Sequence, residues 1–137
     1  MDTSHRDVGL WAIDTANPNA WGGAEEYLAS SGADFVAFQE TKVNGDAKED
    51  KEAVARNIGW STAIRPCCSG AGGGASAGVA VACRSHIGMM DSCEEDLYPS
   101  SLEGRFEIKK VGAICKGGVH LGSAYFHSSL GSSMPKT

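Results

Sequence analysis

Apolar residues fall along this chain in two patterns. In "FVAF" (35–38) they occupy successive positions, as in a strand (34–39) buried on both faces, and "GVAVACR" is a β-branched strand bounded by Gly78 and Arg84. In "WGGAEEYLASSGA" they have helical spacing. Trp21, Ala24, Leu28 and Ser31 share one face there, Glu25 and Glu26 lie outside it, and Gly32 is placed to cap the end. A charged second helix is expected in "NGDAKEDKEAVARNIGW", with Val54 and Ile58 turned inward and Gly59 ending it. "VGLWAIDTA" (8–16) alternates and then runs apolar, predicting a first strand that ends near Thr15, and "NPNAWGG" supplies turn chemistry after it. "WSTAIRP", "RFEIKKV", "GAICK" and "GVHLGSAYF" complete the expected strands. An early strand–helix–strand rhythm that gives way to a run of strands predicts a mixed α/β domain. "CCSGAGGGASAG", between them, has few groups that can pack, so residues 67–77 are expected to form a mobile glycine-rich loop.

The polar positions raise a sharper question at "FVAFQETKV" (35–43). The most hydrophobic strand ends on an amide, a carboxylate, a hydroxyl and an ammonium, with no turn residue between. A carboxylate at the carboxyl end of a buried strand sits where α/β sheets usually place their sites. A hard cation such as Mg²⁺ needs only one or two carboxylates, with waters and phosphate completing its shell. Glu40 suits that role, although a lone strand-end Glu more often just begins a solvated loop.

Length and charge narrow the field. The 137 residues suffice for one domain with a real core, and a net charge of −5 argues against a general nucleic-acid coat while leaving room for local phosphate contacts. The polar N-terminus "MDTSHRDVG" lacks the apolar core of a signal peptide, and no apolar run is long enough for a membrane span, so a soluble, intracellular protein is expected. The cysteines at 67, 68, 83, 93 and 115 form no C-x-x-C pair, and reduced thiols are the expectation.

Other side chains carry weaker signals. Asn17 and Asn19 could orient a metal-bound water or a phosphate oxygen, but a turn explains Asn-Pro-Asn equally well. Tyr125 could donate to a phosphate oxygen or sit at the edge of the core. Arg105 could pair with phosphate or form an ordinary salt bridge. The glycine-rich 70–78 segment lacks the G-x-x-x-x-G-K-[ST] pattern of a phosphate loop. His120 and His127, seven apart, would lie on opposite faces of a continuous strand and share no metal.

Together these segments resemble the endonuclease/exonuclease/phosphatase superfamily, which includes apurinic endonucleases, deoxyribonuclease I-like enzymes and non-LTR retrotransposon endonuclease domains. "ADFVAFQET" is similar to its Asp-hydrophobic-Gln-Glu-Thr signature, and "SAGVAVACR" to its Ser-Gly-Val strand. "EGRF" and "GSAYFHSSLG" are similar to its Gly-Arg and Ala-Tyr-x-x-x-x-Gly segments. The order agrees from about residue 8 to 131. The resemblance implies a four-layer α/β sandwich with a mixed sheet, and hydrolysis of phosphodiesters, DNA above all, with Mg²⁺ or Mn²⁺. It implies Glu40 and Asn19 as metal residues, Tyr125 and Asn17 as catalytic residues and Arg105 as a phosphate-binding residue. A nuclear location is implied by the retrotransposon branch alone.

Two departures stand out. The first motif, normally Trp-Asn-x-Asn/Asp-Gly, reads Ala16-Asn17-Pro18-Asn19-Ala20. The family's Gly-Asp-x-Asn and Ser-Asp-His segments, which position the nucleophile and handle protons, do not occur in the 137 residues. The chain therefore reads as the N-terminal half of such a domain, an incomplete unit expected to expose an apolar sheet face through which it could self-associate. A catalytically inactive remnant and an α/β interaction module are the alternatives.

Overall fold

The computed structural model describes residues 2–69, 75–76, 78–91 and 105–125. A 3-10 turn at Ser4–Val8 precedes strand β1 (Ile13–Ala16), helix α1 (Trp21–Ser30), β2 (Phe35–Gln39), helix α2 (Lys48–Asn57) and β3 (Trp60–Arg65). Then follow β4 (Cys68–Ser69), β5 (Ala75–Ser76), β6 (Val79–Arg84), β7 (Met89–Asp91), β8 (Phe106–Val111) and β9 (Val119–Ala124). One sheet has the order β1-β2-β6-β3, with β1 parallel to β2 and the other pairs antiparallel. A second, antiparallel sheet has the order β7-β8-β9. Helices, mixed sheet and antiparallel sheet form successive layers.

Strand β2 is central because both of its faces are apolar. Val36 and Phe38 join Trp21, Ala24 and Leu28 of α1, Ala55 of α2 and Trp60 and Ile64 of β3 in one core. Phe35 faces the other way and packs with Cys83 and Val111, flanked by Met89, Val119 and Leu121, between the two sheets. Phe35, Val36 and Phe38 are each at most 1% exposed, so the continuous apolar run reports burial on two sides. Among the described residues Cys67, Cys83 and Cys115 are free thiols, and burial pushes Cys83 up to about 11.

Several local expectations are corrected. The first strand is shorter than 8–16. Gly9 takes a left-handed φ of 75° after the 3-10 turn, and Ala12 spends its N–H on the Asp34 carboxylate. Helix α1 ends on an extended Ser31, whose hydroxyl accepts from Ala33 N–H, and Gly32 is no left-handed cap but lies against the Asp2 backbone. Helix α2 buries Ala55, while Val54 and Ile58 are both 41% exposed. Its inward face instead brings the Glu52 carboxylate to the Ile64 N–H (3.0 Å), on a strand at the sheet edge. "GAICK" falls in the turn, residues 112–118, that joins β8 to β9, where Ile114, Gly117 and Gly118 have positive φ. Strand β7 was not anticipated. Part of the glycine-rich segment pairs as β4–β5; residues 70–74 and 77, like His127, lie outside the described residues.

Among the described residues, no helix is long and apolar enough to cross a membrane. Strand β1 stands at the edge of its sheet, and Val8, Leu10, Trp11 and Ile13, on or approaching it, are exposed apolar residues.

Candidate functional site

Glu40 follows the last residue of β2 and has a φ of 56°; Lys42, two residues on, has 55°. These left-handed conformations, uncommon outside glycine, turn the chain sharply at the sheet end. Between them Thr41 is fully buried and its N–H donates to Gly78 O (2.9 Å).

Two other strand ends meet Glu40 there. The Tyr125 hydroxyl, just past β9, donates to Glu40 Oε1 at 2.5 Å, and Asn17 Nδ2, just past β1, donates to Oε2 at 2.9 Å. Asn17 is itself oriented, because its Oδ1 accepts the Asn19 N–H (3.1 Å). Asn19, also left-handed at φ 60°, accepts the Lys42 ammonium on Oδ1 at 3.0 Å. The loop is packed onto α1 by Gly23, where an added Cβ would lie 2.6 Å from Pro18 O. The Arg105 guanidinium stands 5.2 Å from the centre of the Tyr125 ring, and Arg105 O accepts the Tyr125 N–H (2.8 Å).

A relay running from the surface to the buried Ser123 supports this cluster. Thr15 donates to Gln39 Oε1 (3.2 Å), Gln39 Nε2 to Ser123 Oγ (3.1 Å), and Ser123 to Phe38 O (2.7 Å). The relay bridges the two sheets one residue behind Glu40 and two residues before Tyr125. Ser123 and Tyr125 share a face of β9 and its continuation by the period of two.

The electrostatics follow from these contacts. The Tyr125 hydroxyl, then Asn17, and more weakly Lys42, hold the Glu40 carboxyl below its ordinary range against a small opposing effect of burial. The same bond to Glu40 raises the Tyr125 phenol, which therefore stays protonated at neutral pH. The five residues singled out from the sequence thus converge: Asn17, Glu40 and Tyr125 in direct contact, Asn19 through Asn17, and Arg105 over Tyr125. Lys42, Thr15 and Ser123 received no role from the sequence. Lys42 was visible as the ammonium in "QETK", whereas Thr15 and Ser123 were legible only as ordinary strand hydroxyls.

The donor set fits a hard divalent cation. A carboxylate has about four lone-pair sites, and Glu40 uses one on each oxygen, so acceptor capacity remains. Among the described residues no group of three or more His, Cys, Asp or Glu converges, and a Mg²⁺-like ion needs only one or two carboxylates because it keeps most of its waters. Asn19 Oδ1 is already engaged by an ammonium.

Residues 19–121 match the model of the Endonuclease/Exonuclease/phosphatase family. The chain belongs to this family. Enzymes of the family generally use divalent metal ions. The fold is similar to that of an AP endonuclease from Leishmania major, with a TM-score of 0.57 and 16% identity over 84% of this chain and 40% of that one. The chain thus spans less than half the length of that relative. A search of curated proteins finds no match.

Proposed function

We propose that the chain carries the metal-binding half of a Mg²⁺- or Mn²⁺-dependent phosphodiesterase site, of the kind that cuts DNA, in the manner of a mobile-element endonuclease. The observation that carries this reading is the Glu40 carboxylate, ionised and mounted at a rigid strand end by two neutral donors, Asn17 and Tyr125. Neutral donors orient the carboxylate without cancelling its charge, which leaves it attractive to a cation.

Glu40 would be the protein carboxylate on the metal. Asn19 could join it by giving up Lys42. When bound, the cation supplies Lewis-acid polarisation of a phosphate oxygen. Asn17 keeps Glu40 oriented. The protonated Tyr125 hydroxyl donates to Glu40, or to a phosphate oxygen beside it, where developing negative charge is stabilised. Arg105, stacked on Tyr125, offers a fixed cation to the same phosphate. Proton transfer to and from the nucleophile and leaving group would fall to the Asp-Asn and Asp-His pairs that the family resemblance implies, and the 137 residues contain neither segment. The second reading is a catalytically inactive remnant, in which these residues bind cation and phosphate without hydrolysing the ester.

Metal titration and plasmid nicking test both readings. Mn²⁺ binding that Glu40→Ala weakens at least a hundredfold supports the site, and binding untouched by Glu40→Ala overturns it. Mg²⁺-dependent nicking abolished by Glu40→Ala selects the enzyme reading for the chain itself. Binding without nicking selects the second.

A further inference from the structure

We propose that Gly78 is the positioning residue that aims Glu40, acting through the backbone of Thr41. The inference rests on the reading of Glu40 as the metal carboxylate, but its evidence is independent geometry. Gln39 pairs with Val79 across the β2–β6 ladder, and the next bond runs from Thr41 N–H to Gly78 O. Glu40 is therefore the extra residue of a β-bulge, the device by which a strand end re-aims one side chain. Its left-handed conformation, and that of Lys42, are the local cost of that geometry.

What holds the bulge is space as well as a hydrogen bond. Gly78 has a φ of 82°, and a Cβ there would stand 2.8 Å from Thr41 Oγ1, 3.1 Å from Lys42 N and 3.3 Å from Cys67 N. The 41–42 segment occupies the volume that any side chain at 78 would need. The Thr41 hydroxyl is buried and has no hydrogen-bond partner among the described residues, so none of them anchors the turn through it. The anchor is the main-chain bond to Gly78, and the missing side chain lets the two strands approach closely enough to form it. Gly78 lies 38 residues along the chain from Glu40, immediately before β6.

The experiment compares Gly78→Ala with Gly59→Ala. Gly59 is also left-handed (φ 94°), but a Cβ there meets nothing within 4 Å. The readouts are Mn²⁺ affinity by calorimetry and the Tyr125 Cζ chemical shift in tyrosine-labelled protein at neutral pH, assigned by its loss in Tyr125→Phe. Gly78→Ala is expected to weaken Mn²⁺ binding about tenfold or more. It should also move the Tyr125 signal toward its position in Glu40→Gln, while Gly59→Ala changes neither. Adding Thr41→Ala to Gly78→Ala removes the nearest clash and should recover part of both. A folded Gly78→Ala with unchanged affinity and an unchanged Tyr125 signal overturns the proposal. If Gly78→Ala does not fold, amide exchange in the unaltered chain decides. Mg²⁺ should slow Thr41 exchange selectively, and exchange at Thr41 that ignores Mg²⁺ sinks the coupling. Mn²⁺ binding that survives Glu40→Gln would defeat the metal reading instead, and the Tyr125 signal would still judge Gly78.

Discussion

Strand β2 is bracketed by two carboxylates, Asp34 before it and Glu40 after it, and their surroundings are opposites. Asp34 has a side chain 2% exposed, bonded to His5 Nε2 (2.9 Å), Arg6 Nε (2.8 Å) and Ala12 N–H (2.9 Å). Burial pushes its pKa up, but the Ala12 N–H, His5 and Arg6 together outweigh that and leave it lowered. Glu40 is also lowered, but by a phenol and an amide at the protein surface. The same direction of shift thus has two meanings. At Asp34 the charge is consumed in clasping the N-terminal turn to the sheet, whereas at Glu40 it is oriented and left available. A perturbed carboxylate becomes a candidate site only when its partners are identified.

Breaking the Asp34 end should give the largest effect on stability. Asp34→Asn leaves Arg6 and His5 facing an uncharged buried group and should cost roughly 3 kcal/mol in urea unfolding. Mn²⁺ affinity should barely change, because Glu40 is at the opposite end of β2. Equal loss of binding and stability would erase the distinction drawn here. Next in size is Ser123→Ala, which removes the hydroxyl shared by Phe38 O and Gln39 Nε2 between the sheets. A loss of about 2 kcal/mol is expected, accompanied by greater mobility of the Tyr125 ring in NMR relaxation.

Asn17→Ala should spare stability and weaken Mn²⁺ binding by about tenfold, as loss of a ligand-orienting partner does. It should also raise the pH at which binding fails on acidification, since Glu40 would lose a donor that favours its charged form. The smallest effect is on the pH profile of folding. Asp34 is lowered from its ordinary 3.8, so its contribution is complete above that pH and is lost as pH falls through the lower folded value. Urea midpoints of the wild type should therefore decline below about pH 4, and Asp34→Asn should show a flatter decline.

Much of this was legible in the residues. The run Phe35–Phe38 predicted a strand buried on both sides, the spacing of Trp21, Ala24 and Leu28 predicted the buried face of α1, and "FQET" marked Glu40 as the polar end of the strand. Misreadings occurred where tertiary contacts overrode local preference. Val54 and Ile58 looked like the inner face of α2, but an edge-strand amide draws Glu52 inward instead. Alternation suggested a strand from residue 8, but the buried Asp34 captures the preceding turn.

The sequence by itself determined which strand would be central, which carboxylate would stand at its end and which family the ordered motifs resemble, because these depend on residue type and short-range periodicity. Only the tertiary structure decided that Asn17, Glu40 and Tyr125 touch. Tyr125 is 85 residues from Glu40, a separation spanned only when β9 packs behind β2. The role of Gly78 likewise emerges in three dimensions. Its importance lies in the volume left for a neighbouring strand, and a one-dimensional pattern carries no record of that space.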